Sequence, residues 1–411
     1  MVSIFYNMSG TGASNLRVNN RGIDTPFYGD LDVSRPKGWF AAINDVHETF
    51  EVFPNNQQQG TPGGGFVNFE LDYKGDTLNK MYLYFRRTAL QGKGTFIRPV
   101  DWEAIQCIDV VEFQYGNRTL YTITGKELLP RILQEKDLAS RTALAQLLGG
   151  NLSDAERTAR AGDQHYVWEL PVPWGEAQKP LIMSALPQKI LCRVRFHPCE
   201  KWTQSDAVGA TCSFDEMHLT LHYTHFEDSK KKERFNLPRS TSGLQYKVST
   251  LESHHDVLVP TGTRRFRYQL KNLKNNIYNI RVTLNRKVDR DGPNAHPDNW
   301  QLCDRLRLQD GGTDVINTVD VKTTGVYITN PLMYPEGAVG INVMNIPLCR
   351  PEYVQHSRDD CYGGRTMSKY GNPELLLEWD TPTTEELYLD IDGECHNILL
   401  QVMGDLRITY L

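Results

Sequence analysis

Apolar and polar residues alternate along much of this chain. Phe69-Glu70-Leu71-Asp72-Tyr73 shows the pattern in its simplest form, which is that of a strand with one buried face. Phe66, Phe69, Leu71 and Tyr73 lead up to the dipeptide Gly75-Asp76, and Leu78, Met81, Leu83 and Phe85 lead away from it, so a turn joins two strand patterns. Val46 to Phe53 alternates in the same way, with Val46, Glu48, Phe50 and Val52 on one side. Further strands are predicted over Cys107–Tyr115, His165–Leu170, Lys189–Phe196 and Met217–Phe226, all separated by turn signals. The helical period appears over Lys126–Leu148, where Leu129, Leu133, Leu144, Leu147 and Leu148 recur and Gly149-Gly150 stops the run. Pro130 fits an early position of that helix, and a short second helix is predicted with Ser153 or Asp154 as cap and Glu156 in its first turn.

The second half returns to strands: Arg264–Leu270, Ile277–Leu284, Trp300–Leu308, Gly325–Thr329, Glu374–Trp379, Glu385–Ile391, Asn397–Met403 and Leu406–Leu411. Asp310-Gly311-Gly312 and Asp392-Gly393 are read as tight turns. No residue-level repeat links the halves, so a duplication would be architectural. Many short strands with few helices indicate an all-β chain of sandwiches or barrels. Residues 1–40, rich in Ser, Asn, Gly and Arg, read as an arm without a core of its own, and Gln57 to Gly65 as a flexible loop.

At 411 residues the chain is long enough for two all-β domains. Its 45 basic and 50 acidic residues nearly cancel, which argues against a phosphate-binding surface and specific nucleic-acid binding. The dense run Lys230-Lys231-Lys232-Glu233-Arg234 reads as a solvated loop between domains. The eight cysteines form no Cys-x-x-Cys pair, so neither a zinc ribbon nor a redox motif is present. Met1 to Met8 lacks the basic-then-apolar order of a signal peptide, and no apolar stretch reaches the ~18 residues of a membrane span. The reading is therefore a cytosolic protein with reduced thiols, in which sequons such as Asn7-Met8-Ser9, Asn117-Arg118-Thr119 and Asn151-Leu152-Ser153 go unused.

The sharpest hint of metal chemistry is His218-x-x-x-His222-x-x-His225. On a helix the three would share a face; on the alternating strand they occupy, His218 and His222 share one side and His225 falls on the other. A cupin-like iron site would need that pair plus a distant carboxylate. His254-His255-Asp256 reads as a surface loop entering a strand at Val257, its neighbouring histidines pointing opposite ways. Trp39, Trp168, Trp174 and Trp379 suit a sugar platform or simple burial. No nucleophile elbow, phosphate loop or dinucleotide fingerprint follows a strand, and Gly60 to Gly65 lacks the lysine and helix of a phosphate cradle. The expectation is a protein without catalytic, cofactor-binding or metal-binding residues.

Several segments, in one order, resemble a single family. Val46–Phe53, the Gly-rich loop and Phe66–Leu90 with Gly75-Asp76 resemble its first strands. Asp109–Leu120 resembles a strand–turn–strand that often carries Gly-Gly-Gln, here Gly116-Asn117-Arg118. Tyr166–Trp174 resembles a strand ending in Pro-Leu-x-Phe-Trp, and Leu181–Pro187 an Ala-Leu-Pro-Leu segment with its order altered. Met217–Phe235, Asn345–Glu352, Gly363–Ser368, Asn372–Leu377 and His396–Tyr410 supply the later matches. The pattern is similar to the double jelly-roll major capsid proteins of nucleocytoplasmic large DNA viruses and their virophage and polinton-like relatives. The resemblance implies two consecutive antiparallel eight-stranded jelly rolls, residues 41–235 and 236–411, with a helical insertion in the first. The boundary is expected within Glu227–Gly243. It also implies a homotrimeric capsomer, pseudo-hexagonal in outline, that tiles an icosahedral shell assembled in the host cytoplasm. Neighbouring capsomers, minor capsid or penton proteins and an underlying membrane layer are the partners it suggests. The alternatives are a jelly-roll, cupin-like metal-dependent enzyme and a carbohydrate-binding protein.

Overall fold

The computed structural model describes residues 45–55, 60–174, 181–206, 209–226, 244–291, 296–335, 337, 340–354 and 363–410. The predicted arm, the predicted boundary Glu227–Gly243 with its lysine run, Trp39 and Cys361 lie outside the described residues.

The first half contains β1 (Asp45–Val52), β2 (Val67–Leu71), β3 (Thr77–Arg87), β4 (Ile97–Pro99), β5 (Ile108–Tyr115), β6 (Arg118–Thr124), β7 (Gln164–Glu169), β8 (Leu181–Ile182), β9 (Ile190–Phe196), β10 (Thr203–Ser205) and β11 (Phe214–Phe226). Among the described residues four α-helices interrupt them: α1 (Glu103–Gln106), α2 (Gly125–Glu135), α3 (Leu138–Leu148) and α4 (Asp154–Ala159). One sheet runs β1-β11-β3-β7, with β8 added on β3, and the facing sheet runs β2-β9-β5-β6. The second half contains β12 (Leu244–Val259), β13 (Arg265–Gln269), β14 (Asn276–Arg286), β15 (Arg305–Asp310), β16 (Thr313–Thr318), β17 (Met344–Pro347), β18 (Arg365–Thr366), β19 (Pro373–Glu378), β20 (Leu387–Val402) and β21 (Asp405–Tyr410), with helices α5 (Lys287–Asp291) and α6 (Asn330–Met333). Its sheets run β12-β20-β14-β17 and β13-β19-β15-β16, with β18 added on β14 and β21 on β20.

If only the strands on these four paths are counted, both halves give the same order. The first strand pairs with the eighth, then the third and sixth, and the second pairs with the seventh, then the fourth and fifth. Every pairing is antiparallel. This is jelly-roll connectivity, written twice.

Alternation explains the first core. Val67, Phe69 and Leu71 of β2, Met81, Leu83 and Phe85 of β3, and Ile190, Cys192, Val194 and Phe196 of β9 are buried, while the residues between them are half-exposed. Each such large side chain contributes about 1.5–3 kcal/mol by leaving water. The Gly75-Asp76 turn carries the chain from one sheet to the facing one. A Cβ on Gly75 would sit 2.7 Å from Cβ of Tyr223, so no larger residue fits the crossing.

Several local expectations change, among them the strand predicted over Trp300–Leu308, which begins only at Arg305. The single helix over 126–148 is two helices, because Lys136 is extended and Asp137 caps α3 by accepting from Ser140 N at 2.7 Å. Pro130 lies inside α2, a full turn past the Thr124 cap, rather than in an early position. The second short helix does form as expected, with Ser153 and Glu156 in a reciprocal capping box. Gly325–Thr329 is not a strand; it ends a wide π-helix, Val321–Thr329, capped by Asp320. Asp392-Gly393 is not a turn but the middle of β20, held extended between β12 and β14. His254-His255-Asp256 is not a surface loop; it is a bulged part of β12, with Asp256 at φ +60°.

The two cores are not confined to their own halves. Val248 of β12, Leu399 of β20, Leu406 of β21, Trp300 and Val343 all join the first hydrophobic core. Leu387, Leu389, Ile391 and Cys395, earlier on β20, belong to the second. One long strand pair therefore serves both sandwiches.

Candidate functional site

His218, His222 and His225 do not converge on a metal site. His218 stacks on Tyr84 at 4.4 Å between ring centroids, His222 leans on Tyr82 at 5.2 Å, and His225 Nε2 meets Glu48 Oε2 at 3.2 Å. Trp168 and Trp174 are buried, and Trp379 is half-buried against the second core, so none of the three forms an open sugar platform.

The polar chemistry of this chain lies instead in the seam between the sandwiches, where α2 meets β12, β14 and β20. Thr124 caps α2, and its N–H donates to Glu127 Oε2 at 2.9 Å. That leaves Glu127 Oε1 to face His255 Nε2 at 3.5 Å. The bulge in β12 sends His254 and His255 opposite ways: His254 meets Tyr268 at 3.0 Å, and His255 enters the seam. There, His255 Nδ1 lies 3.5 Å from Asp390 Oδ1 and Nε2 lies 3.7 Å from Asp392 Oδ1. Asp390 is fixed by the Asp256 N–H at 2.8 Å and by Arg290 at 2.9 Å. Arg290 also reaches Asp256, which Lys126 of α2 contacts from the first half.

Burial opposes charge on His255, but its contacts with Asp390, Glu127 and Asp392 outweigh burial and push the imidazole up to about 10. Burial raises Asp392 to about 6 despite His255 nearby. Asp390 stays well below the usual carboxylate range: burial works against it, but His255 and Arg290 prevail.

Further along the seam Arg281 is fully buried. It donates to Gln134 at 2.9 Å and to Glu394 at 2.9 Å, with Glu135 at 3.4 Å. Glu394 also accepts from Asn279 at 3.0 Å. A second mixed cluster, Asp101 with His296 and Asp298, joins the halves near Trp102, whose indole N–H donates to Asp298 at 3.1 Å. Of these seam residues, His255 and Asp256 were picked out in the sequence as a surface loop and Asp392 as part of a turn, and the others not at all. For Asp392 a signal existed, since an acidic residue in a run of Leu, Ile and Cys is either a turn or a buried charge.

No protein-family model and no curated sequence matches the chain. Solved structures do. PBCV-1 VP54, as fitted into a reconstruction of the virophage Sputnik, superposes with a TM-score of 0.70 at 13% identity, over 90% of this chain and 97% of that one. The Faustovirus major capsid protein gives 0.66 at 10% identity, over 87% and 90%. The Sputnik virophage structure gives 0.57 at 9%, over 92% and 91%.

The fold is the double jelly roll of these capsid proteins.

On this double jelly roll the large apolar side chains left in solvent include a group in the connection between β16 and β17 and just beyond β17. Val319 is 61% exposed, Tyr327 and Ile328 51% each, and Leu332 43%. Tyr353, on a single-turn helix that packs against α6, is 38% exposed. Single exposed apolar residues need no explanation; Tyr327, Ile328 and Leu332 differ in lying on two helices that pack against each other.

Proposed function

We propose that this chain is a major capsid protein, the structural subunit of an icosahedral viral shell. Three copies form a pseudo-hexagonal capsomer, and capsomers tile the facets. The observation that carries this reading is the jelly-roll strand order written twice in one chain, in the manner of capsid proteins with the same two-sandwich fold. The mechanism is geometric. Jelly rolls leave short, protected sheet edges, so subunits meet through loops and side-chain surfaces instead of pairing strand to strand without limit. Closed threefold symmetry then sets six similar sandwiches in a ring.

Within this reading, residues 1–40 form an arm toward neighbouring capsomers, and the jelly rolls occupy 41–235 and 236–411. Neighbouring capsomers and minor capsid or penton proteins are the partners, an inner membrane layer lies beneath in viruses that have one, and the shell assembles in the host cytoplasm. The apolar group around Tyr327, Ile328 and Leu332 is the subunit contact. An obligate interface of this type buries more than about 2,000 Å² in total. Light scattering on the purified protein is expected to give three times the chain mass. Ile328→Asp together with Tyr327→Asp is expected to yield folded monomers. A wild-type monomer at micromolar concentration would defeat the proposal.

A further inference from the structure

Charges around His255 do not balance. Four carboxylates, Glu127, Asp256, Asp390 and Asp392, share two permanent cations, Lys126 and Arg290. Arg281, the next cation along the seam, is engaged by Glu394 and Glu135. A separate observation concerns Asp392. It is 2% exposed, its Oδ1 accepts no well-formed hydrogen bond although the Ser253 hydroxyl lies near the carboxylate, and that oxygen faces His255. A buried carboxylate oxygen without a donor is costly, and a bound cation is one of the few things that removes the cost.

We propose that Glu127, His255 and Asp392 form a divalent-cation site that ties the two jelly rolls together, taking zinc or a similar imidazole-binding ion. One ligand atom from each of Glu127, His255 and Asp392 lies within 4.8 Å of the other two. The separations of Glu127 Oε1 and Asp392 Oδ1 from His255 Nε2, 3.5 and 3.7 Å, approach the spacing of a four-coordinate site. Donors with ~2.0–2.1 Å bonds to a tetrahedral ion sit about 3.3–3.4 Å apart. Shifts of a few tenths of an ångström bring both separations from Nε2 to that spacing, and three protein donors leave a fourth position for water.

Such a site needs the neutral imidazole, so an ion on Nε2 takes the place of the proton that the three surrounding carboxylates favour on the ring in its absence. With Nε2 on the ion, the proton sits on Nδ1, 3.5 Å from Asp390 Oδ1, and a movement of about half an ångström makes that a hydrogen bond; Arg290 and the Asp256 N–H hold the carboxylate in place. A carboxylate oriented behind a ligating histidine fixes both its tautomer and its direction. One imidazole with two carboxylates favours zinc, or manganese and cobalt, over calcium and magnesium, which take all-oxygen shells. A divalent ion with neutral His255 balances the two unmatched negative charges. The site concerns the link between two sandwiches of one chain and does not depend on the capsid reading.

The test uses the full chain stripped with a chelator, then titrated with zinc by calorimetry and with cobalt by visible absorption. One ion per chain is expected, with a higher melting temperature and the absorption of four-coordinate cobalt. Glu127→Gln preserves the capping box of α2, because Gln at this position closes the box as Glu does. It is expected to remain folded and to lose the calorimetric signal, as is Asp392→Asn. Asp390→Asn is expected to weaken zinc binding ~10–100-fold. His218→Ala with His222→Ala is expected to bind as wild type does. Zinc uptake unchanged in folded Glu127→Gln would overturn the site, as would a wild-type protein that takes up no zinc.

Discussion

Arg87 and Glu103 form an ion pair with almost no contact with water. Tyr166 donates to the same carboxylate, and the Arg87 guanidinium also reaches the carbonyls of Arg160 at 2.6 Å and Thr88 at 2.9 Å. Burial pushes the Glu103 carboxyl up even though Arg87 pulls it down. Removing one partner strands the other charge, which costs about 3–5 kcal/mol, whereas replacing both with apolar residues is often neutral. Glu103→Gln is therefore expected to lower stability by about that amount in urea titrations, and Arg87→Met with Glu103→Leu to recover most of it. A single substitution as harmless as the double one would show that the pair is not coupled. Arg87 was legible in principle: it is in phase with Leu83 and Phe85 on an alternating strand, so the pattern itself places it inward. The partners were not legible, because Glu103 sits on a four-residue helix that has no period to read.

Strands with one buried face were readable from alternation, and β2, β3, β5 and β9 lie close to where the pattern puts them. Strands buried on both faces were not. Most of β20 is buried on both sides, so its apolar run carries no period, and Gly393 within it reads as a turn residue. Its real function is close packing: a Cβ there would lie 3.0 Å from Ile277 Cδ1 and 3.1 Å from Leu273 Cδ2. The π-helix Val321–Thr329 failed for a related reason, since its β-branched residues favour strand until tertiary contacts overrule them. β21 closes the chain on a core built mainly from the other half: Leu406 is buried in the first core, Ile408 packs against it, and Tyr115 donates to the Gly404 carbonyl. Leu406→Ala is expected to cost about 2–5 kcal/mol. The loss should appear as faster proteolysis of the first sandwich, although the substitution lies at the far end of the sequence. Protection of that sandwich unchanged by the substitution would mean the contact adds nothing to it.

Across the whole molecule, the β12–β20 ladder runs without interruption of its pairing partner from Leu244 opposite Gln401 to Val259 opposite Leu387, with one bulge near His254. Val248 and Leu399 anchor one end in the first core, and Leu389 and Ile391 anchor the other in the second. Proteins ordinarily open in pieces, each with its own free energy, and a chain of two sandwiches offers an obvious line of division. Here the line is crossed by a shared pair of strands. Native-state hydrogen exchange should therefore find amides at both ends of the ladder opening with one common free energy. Two well-separated values would mean the sandwiches open independently. A common value makes the rarest and largest opening the gateway to exposure of either core, so the lifetime of the folded chain is set by a rate of unfolding that neither half can raise alone.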